Sequence, residues 1–253
     1  MLGKALAIVE ALVDGPTLGV SELSDRTGAS KASVFRILAT LERRGYVAKD
    51  PVSRKYRPGP RLLAIACGLV SGHDLVQGAR PVLAALHAEF DETVNLGILS
   101  EGQVLYLDIL ESSHGLRMAA RVGSRHPLHT TALGKAILAW LPADEARRLL
   151  PERRFERRTP RSVTAWPSLE RQLAAFRKQG YAVDDEENEA GVRCVGAPIL
   201  DVRGRPVASI SVAGPASRLR DATIRRIGRR LVDAASAIAE RMGYRAGGGA
   251  RVS

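Results

Sequence analysis

The segment from Val20 to Val47 constrains the fold of this chain more than any other stretch of its sequence. Its pattern predicts a short helix over about residues 19–27, followed by a tight turn at Gly28, where a chain leaving a helix often needs a positive φ. Ser30 can then cap a second helix, because its hydroxyl accepts a hydrogen bond from a free backbone N–H group. We expect this second helix to end near Arg44.

The second helix should have two chemically distinct sides. Its apolar stripe repeats at helical spacing and consists of Val34, Ile37, Leu38 and Leu41. A short helix, a glycine turn and a second helix form the helix-turn-helix motif, in which the second helix enters the DNA major groove. From its polar side we predict five DNA contacts: Lys31, Ser33, Phe35, Arg36 and Thr40.

A basic hairpin should follow the second helix. Residues 46–49 and 54–57 predict two strands joined by the turn Asp50-Pro51-Val52-Ser53. Arg54 and Lys55 lie on the predicted second strand, where a wing would place them over phosphates or in the minor groove. Residues 30–57 contain eight Lys or Arg and two Asp or Glu. The alternative is an ordinary three-helix surface with solvated charges.

Composition adds weaker constraints. The chain has 253 residues and a formal net charge of +11, which favours a polyanionic partner. Its two cysteines are too few for a disulfide framework, so we expect a reducing, cytoplasmic compartment. The longest apolar run, residues 62–70, is shorter than the ~20 residues of a membrane span. The N-terminus predicts an amphipathic helix with these residues on one side: Leu2, Leu6, Val9 and Val13.

The remainder of the chain predicts an α+β domain on an antiparallel sheet. A connecting helix should span residues 61–77, and Pro81 should open another helix over 82–90. Strands are expected at residues 93–100, 103–110, 115–122, 193–200 and 206–213. Further helices are expected at residues 132–141, 144–150, 168–179 and 218–241. We divide the chain into a winged helix-turn-helix domain, a linker helix, a sheet domain and a frayed tail, at residues 1–58, 59–77, 78–245 and 246–253.

The order of these motifs resembles the IclR family of bacterial transcriptional regulators. The resemblance rests on RRGYV and the basic hairpin, on RHPLHTTALGKAILAWLP at 125–142, and on the long segment from Gly180 to Pro215. Ser33 and Phe35 stand where the family more usually has Thr and Tyr or His. The resemblance implies a winged helix-turn-helix, a linker helix and a GAF-like effector domain. It also implies dimers paired through the DNA-binding domains, often tetramers, a palindromic double-stranded DNA operator, and most commonly repression.

The resemblance also implies a pocket for a small effector, often an organic acid, and no cofactor. Carried over position by position, the effector-binding residues are Met118, Ala132, Leu133, Asp184, Cys194 and Ser211. Backbone N–H groups at the start of the helix at 132–141 can bind a carboxylate, aided by the helix dipole. The alternative is that these positions are core and turn residues of a sheet domain.

Three other patterns suggest enzyme chemistry. The acidic run at residues 184–187 could serve as an acid or base, although a solvated loop explains it more simply. His126, His129 and Cys194 could bind zinc or form a thiol nucleophile with its base. A buried thiol in an apolar strand is the usual case. A thiol- or metal-dependent hydrolase fused to a DNA-binding module is therefore the second hypothesis, and an architectural DNA binder without a ligand is the third.

Overall fold

The computed structural model describes residues 2–13, 17–62, 64–65, 74–115 and 120–243. The chain separates into two compact units, Met1–His73 and Asp74–Ser253. Each unit has its own hydrophobic core. The predicted tail at 246–253 lies outside the described residues, as do residues 63 and 66–73 of the predicted linker.

The N-terminal unit contains a helix-turn-helix followed by a hairpin. Its elements are α1 (Leu2–Val13), α2 (Val20–Thr27), α3 (Lys31–Arg43), β1 (Val47–Lys49) and β2 (Tyr56–Pro58), with further helical residues at 60–62 and 64–65. The two strands are antiparallel, with Ala48 opposite Arg57. Leu18 and Tyr56 exchange two backbone hydrogen bonds of 3.0 and 2.8 Å, which adds a third short segment to the hairpin.

Local capping places the boundaries of the two central helices where the sequence predicts them. Gly28 ends α2 with a φ of 64°, a left-handed conformation that costs glycine little. The Ser30 hydroxyl accepts a hydrogen bond from the Ser33 N–H at 3.4 Å and so caps α3. Gly45 follows the end of α3 with a φ of 75°. The apolar sides of α2 and α3 pack into the core of the N-terminal unit. Its buried residues are Ile8, Leu12, Leu18, Leu23, Ala29, Val34, Ile37, Leu38, Val47 and Tyr56.

The predicted N-terminal helix is present as α1, but its predicted apolar side is not the side that packs in the core of the unit. Leu2, Leu6 and Val13 are exposed, whereas Ile8 and Leu12 are buried against α2 and α3. A second apolar stripe therefore runs along this helix on the side away from its core. Sequence periodicity could not separate the two stripes, because both consist of aliphatic residues at helical spacing.

The C-terminal unit is built on an antiparallel sheet, which confirms the predicted α+β class. Its strands are β3 (Thr93–Ser100), β4 (Gln103–Leu110), β5 (Arg125–Pro127), β6 (Ala182–Asp185), β7 (Val192–Leu200) and β8 (Pro206–Pro215). Within the described residues these six strands lie in the order β5-β4-β3-β8-β7-β6. The helices are α4 (Asp74–Phe90), α5 (Ala132–Trp140), α6 (Ala143–Leu149), α7 (Trp166–Gln179) and α8 (Asp221–Arg241), with a 3₁₀ turn at Glu152–Arg154.

Both faces of the sheet are covered. Side chains alternate across a strand, so on β7 Cys194 faces the core shared with α5, α6 and α7, while Val195 faces the core shared with α4 and α8. The first of these cores also holds Tyr106 and Ala213 from other strands. The sheet face under α5 carries several polar residues, and this face positions the site described below.

Several element predictions need correction. Pro81 lies inside α4 and does not open a new helix. The predicted strand at 115–122 falls mainly outside the described residues, and its described end, 120–122, is not strand; β5 lies further on. The sequence predicts a solvated loop for the acidic run at residues 184–187, yet Asp184 and Asp185 form the end of β6. The predicted hairpin at 93–100 and 103–110 is confirmed.

Candidate functional site

The polar side of α3 is exposed to solvent within its own unit. Lys31, Arg36 and Thr40 are exposed, Ser33 is partly buried, and the Phe35 ring is 57% exposed. The buried side chains of the helix point the opposite way, into the core. Contact of this ring with another molecule would be favourable, because apolar surface gains free energy when it leaves water. The predicted DNA-contacting residues therefore share one accessible surface.

The wing turn is organised by Asp50. Its Oδ1 accepts hydrogen bonds from the Val52 N–H at 3.0 Å and from the Ser53 N–H and hydroxyl at 2.7 and 2.9 Å. These bonds, those from Ser53 first, lower the pKa of the Asp50 carboxyl. Arg54 follows in the left-handed region with a φ of 59°. Arg54 and Lys55 therefore belong to the turn before β2, and not to the strand as predicted.

Lys55 already has an anionic partner. Its Nζ lies 2.9 Å from Glu22 Oε1, and Glu22 Oε2 accepts a hydrogen bond from the Gly19 N–H at 2.6 Å. The hydrogen bond from Gly19, followed by that from Lys55, lowers the pKa of Glu22. One carboxylate thus caps α2 and holds the wing lysine. A phosphate would have to compete with Glu22 for Lys55, whereas Arg54 is exposed.

Five of the six residues predicted for the effector pocket line one cavity in the C-terminal unit. They are Ala132, Leu133, Asp184, Cys194 and Ser211. The sixth, Met118, lies outside the described residues. The cavity measures about 10 Å³, close to the space that a single water molecule needs. In this closed form it cannot hold an organic acid, so binding requires its walls to separate.

The cavity forms because the start of α5 lies directly against the sheet. Gly196 on β7 permits this approach: a side-chain carbon there would come within 2.8 Å of the Ala132 backbone. Thr131 caps the helix by accepting a hydrogen bond from the Gly134 N–H at 3.1 Å. The first N–H groups of a helix have no acceptor within it. Because Gly134 is capped by Thr131, the N–H groups of Ala132 and Leu133 are those available beside the cavity.

Burial changes the acidity of two lining residues. Desolvation raises the pKa of Asp184 to about 7, against the opposing influence of Lys135. Asp184 Oδ1 also accepts hydrogen bonds from the Glu187 and Asn188 N–H groups at 2.8 and 3.3 Å. Cys194 lies opposite Asp184 in the β6–β7 register. Desolvation, reinforced by Asp184, raises the pKa of the Cys194 thiol well above its usual value, so the thiol stays protonated.

Sequence reasoning missed about half of the lining. The additional residues are Asn95, Tyr106, Thr131, Asn188, Glu189 and Val192. Asn95 donates a hydrogen bond from Nδ2 to the Ser211 hydroxyl at 3.1 Å. The alternation of β3 and β4 could have indicated Asn95 and Tyr106, since both strands were predicted correctly. Which face of those strands lies under α5 depends on the order of the sheet, which the alternation does not show.

The acidic run is not a solvated loop. Glu187 is buried and lies 2.6 Å from the Nζ of Lys135, whose side chain is fully buried in α5. Gln172 on α7 contacts both partners, at 3.2 Å from Lys135 and 3.1 Å from Glu187. The expected pairing with an arginine is found at Asp185 and Glu186, which both contact Arg161 at the surface. The run thereby ties the β6–β7 loop to two helices.

The residues of the hydrolase hypothesis are not brought together. The ring of His126 contacts the Ser124 hydroxyl at 3.2 Å, and His129 Nε2 contacts the Glu156 carbonyl at 3.0 Å. The polar partner of Cys194 is a carboxylate and not an imidazole. In the part of the chain that the structure describes, no group of three His, Cys, Asp or Glu could hold a metal ion.

These features define a class of protein: a helix-turn-helix with an exposed polar second helix, joined to an α+β unit with a small closed cavity, is the architecture of a transcriptional regulator. The chain belongs to the IclR family. The profile of the bacterial transcriptional regulator IclR C-terminal domain matches residues 67–240, and that of the IclR helix-turn-helix domain matches residues 1–51. None of the described helices is both long and apolar enough to cross a membrane.

Known IclR-family regulators are similar to this chain over nearly its whole length. It is 35% identical over 241 residues to the HTH-type transcriptional regulator KdgR of Escherichia coli, covering 95% of this chain and 92% of that one. It is 29% identical over 240 residues to the transcriptional repressor IclR of the same organism, covering 94% and 88%. An IclR homologue from Microbacterium hydrocarbonoxydans, solved with 4-hydroxybenzoate, superposes with a TM-score of 0.82 at 25% identity, covering 96% and 98%. None of these relatives supports the hydrolase hypothesis.

Proposed function

We propose that this protein is a sequence-specific transcriptional regulator that acts as a repressor and whose operator binding is modulated by a small organic acid. The observation that carries the proposal is the meeting of Ala132, Leu133, Asp184, Cys194 and Ser211, distant in sequence, around one cavity. The family supports DNA binding, and the relative solved with 4-hydroxybenzoate supports a carboxylate ligand. The protein would act where its DNA lies, in the cytoplasm.

On DNA, α3 would lie in the major groove and the wing along the backbone. Arg36 is long enough to form paired hydrogen bonds with a guanine, and Ser33 can contact either a base or a phosphate. Phe35 would place its exposed ring against a thymine methyl group. Arg54 would approach a phosphate directly, whereas Lys55 would first have to leave Glu22.

In the cavity, the effector carboxylate would lie at the first turn of α5. Free N–H groups and the helix dipole favour a negative charge there. Asn95 and Ser211 supply further polar contacts, and Leu133 an apolar one. Asp184 can donate a hydrogen bond to the carboxylate only while protonated, so an acid should bind more tightly below about pH 7 than above it.

Binding would open the cavity and thereby disturb its anchors. Asn188 lines the cavity and accepts a hydrogen bond from the Thr130 hydroxyl at 3.1 Å. Arg158 donates to the Asn188 carbonyl at 3.1 Å. A ligand that separates the β6–β7 loop from α5 must strain these contacts. The effector can then shift the balance between protein arrangements only through its differing affinity for the closed and open forms.

The exposed stripe of α1 supports a dimer. Leu2, Leu6 and Val13 are 75%, 54% and 60% exposed. Aliphatic surface of this kind on one helix is stabilised when another apolar surface covers it. A second copy of the chain would provide that cover, and its two-fold symmetry would match a palindromic operator. Assembly of such dimers into tetramers is the further expectation from the family.

The proposal is tested with operator DNA selected from a random duplex pool by the full-length protein. Binding of that DNA is measured by fluorescence anisotropy with and without small organic acids, 4-hydroxybenzoate included. We expect at least one acid to change operator affinity and to raise the melting temperature. A Ser211→Val variant should bind DNA normally and lose the response.

Two results would contradict the proposal. Failure to enrich any duplex sequence would remove sequence-specific DNA binding. An operator whose affinity no acid changes would leave the architectural DNA binder as the better hypothesis. The exposed Arg171→Gln variant, in which a distant surface charge is removed, serves as the control for Ser211→Val.

A further inference from the structure

A second and larger cavity opens in the C-terminal unit, between the β3–β4 turn, β5 and the 3₁₀ turn at 152–154. Its volume is about 430 Å³, and its lining includes Gln103, Pro127, Leu128, His129 and Arg154. None of these residues lines the effector cavity. Unlike that closed cavity, this one is already within the range of volumes that small-molecule sites occupy.

Arg154 brings a positive charge to this cavity without a matching carboxylate. Its Nη1 donates to the carbonyls of Glu101, Gly102 and Leu149 at 3.1, 3.3 and 3.4 Å. Among the residues that the structure describes, no Asp or Glu lies within ion-pair distance of Arg154, and its Nε and Nη2 have no acceptor. The guanidinium is therefore held in place through one nitrogen, while the other two remain available.

The approach of Arg154 depends on a glycine. A side-chain carbon at Gly102 would overlap Arg154 Nη1, so a larger residue there would displace the guanidinium. Gly102 also adopts a φ of 75°, which favours glycine in the β3–β4 turn. A guanidinium held in this way loses little side-chain freedom on binding an anion.

The remaining lining suits the body of a small organic anion. Pro127, Leu128 and Leu150 provide apolar surface, and Gln103 a neutral polar group. The one acidic residue of the lining is Glu156, whose side chain is 65% exposed and lies 4.0 Å from Arg158. Solvent and Arg158 therefore screen its repulsion of an anion.

His129 adds a second feature that the fold does not explain. It is fully buried, and since the Glu156 carbonyl can only accept, Nε2 carries the proton. The other ring nitrogen, Nδ1, is then an acceptor, and it is buried with no hydrogen-bond partner. Buried polar atoms are nearly always paired, but an acceptor cannot pair with a carboxylate, so a carboxylate in this cavity would lie at Arg154 and not at His129.

We propose that this cavity is a second binding site, separate from the effector cavity, for a small organic monocarboxylate. The carboxylate pairs with Nε and Nη2 of Arg154, and the apolar body lies against Pro127, Leu128 and Leu150. The site is one hydrogen bond away from the effector cavity: the Thr131 hydroxyl donates to the Pro127 carbonyl at 2.7 Å. Thr131 lines the first cavity and Pro127 the second.

The test uses 4-fluorobenzoate and the full-length protein, with binding followed by the ¹⁹F resonance of the ligand. We expect saturable binding to the wild type, and a loss of affinity of about tenfold or more in Arg154→Gln, because a charge-assisted pair is removed. Gln103→Glu should weaken binding as well, since it adds a negative charge to the lining of the same cavity.

Controls separate this site from the effector cavity and from general charge. Arg157→Gln removes an exposed arginine three residues away and should bind as the wild type does. Ser211→Val alters the effector cavity and should leave the Arg154-dependent binding intact. The proposal is overturned if binding is not saturable at millimolar concentration. It also fails if Arg154→Gln and Gln103→Glu, both shown to be folded by thermal melting, bind like the wild type.

Discussion

At the scale of single residues, Asp184 shows how burial changes the chemistry of one side chain. Its sequence neighbours are acidic and gave it the appearance of a surface residue, yet it is 1% exposed. Desolvation favours the neutral carboxyl and raises the pKa from 3.8 to about 7. The folded protein then retains a proton that the unfolded chain releases at a lower pH.

Linkage between protonation and folding predicts a pH effect on stability. The contribution of Asp184 is fully present below about pH 4 and is lost as the pH rises through 7, because the folded form binds more protons. Asp184→Asn should therefore reduce the fall in melting temperature between pH 5 and pH 8. The carboxamide oxygen can still accept from Glu187 and Asn188. An unchanged pH profile in the variant would show that this carboxyl does not titrate in that range.

Arg36 gives a second prediction at the residue scale. Arg36→Ala should weaken binding to the selected operator by about 1–3 kcal/mol if the guanidinium reads a guanine, and should relax sequence preference at that base pair. Anisotropy titrations at fixed salt measure the first effect, and operators substituted at single positions measure the second. Equal weakening on all sequences would instead assign Arg36 to a phosphate.

At the scale of elements, the wing shows why a basic residue count overstates DNA contacts. Lys55 and Arg54 are adjacent and both carry a positive charge, but among the described residues Lys55 has a carboxylate partner, Glu22, and Arg54 has none. Lys55 must give up its contact with Glu22 to bind a phosphate, so it should contribute less free energy to DNA binding than Arg54, which gives up no such contact. Local turn geometry set by Asp50 decides this, since it places Lys55 toward α2.

The salt dependence of DNA binding should separate these two residues. Arg54→Ala should reduce the slope of log affinity against log salt by about one unit, because one phosphate contact and its released counterion are lost. Lys55→Ala should change the slope by less. Operator titrations at several salt concentrations give both values. A larger change for Lys55→Ala than for Arg54→Ala would mean that DNA displaces Glu22 completely.

The buried pair of Lys135 and Glu187 links α5 to the β6–β7 loop. Lys135→Met should destabilise the fold by about 3–5 kcal/mol, because Glu187 would remain buried without its partner. The double variant Lys135→Met with Glu187→Leu should recover much of this loss. Chemical denaturation of both variants measures the difference, with the exposed Lys178→Met as the control. A single variant as stable as the wild type would mean that water reaches Glu187.

At the scale of the whole molecule, one side of α1 stabilises the fold of its own unit, and the opposite side is available for assembly with a second copy. Ile8 and Leu12 complete the core of the N-terminal unit, while Leu6 contributes to the stripe that faces outward. A substitution on that stripe should leave the unit folded and still affect a function that requires two copies. The two effects can be separated because the two stripes share no residue.

Leu6→Gln should therefore weaken dimerisation and, through it, binding to a palindromic operator, with little change in melting temperature. Sedimentation equilibrium of the full-length protein and operator titrations measure the two effects. Glu10→Gln, an exposed change on the same helix, should alter neither. If Leu6→Gln protein remains dimeric and binds normally, the stripe does not form the dimer interface.

The helix-turn-helix, the β3–β4 hairpin and the boundaries of α2 and α3 followed from the sequence by itself, because periodicity, caps and turns act over a few residues. Only the tertiary structure decided which side of α1 is covered, which anion holds Lys55, and that Asp184 and Glu187 are buried. It also joined Asn95 to Ser211 across a separation of 116 positions. Burial and pairing of this kind depend on the order of strands and on distant partners, to which no short stretch of sequence is sensitive.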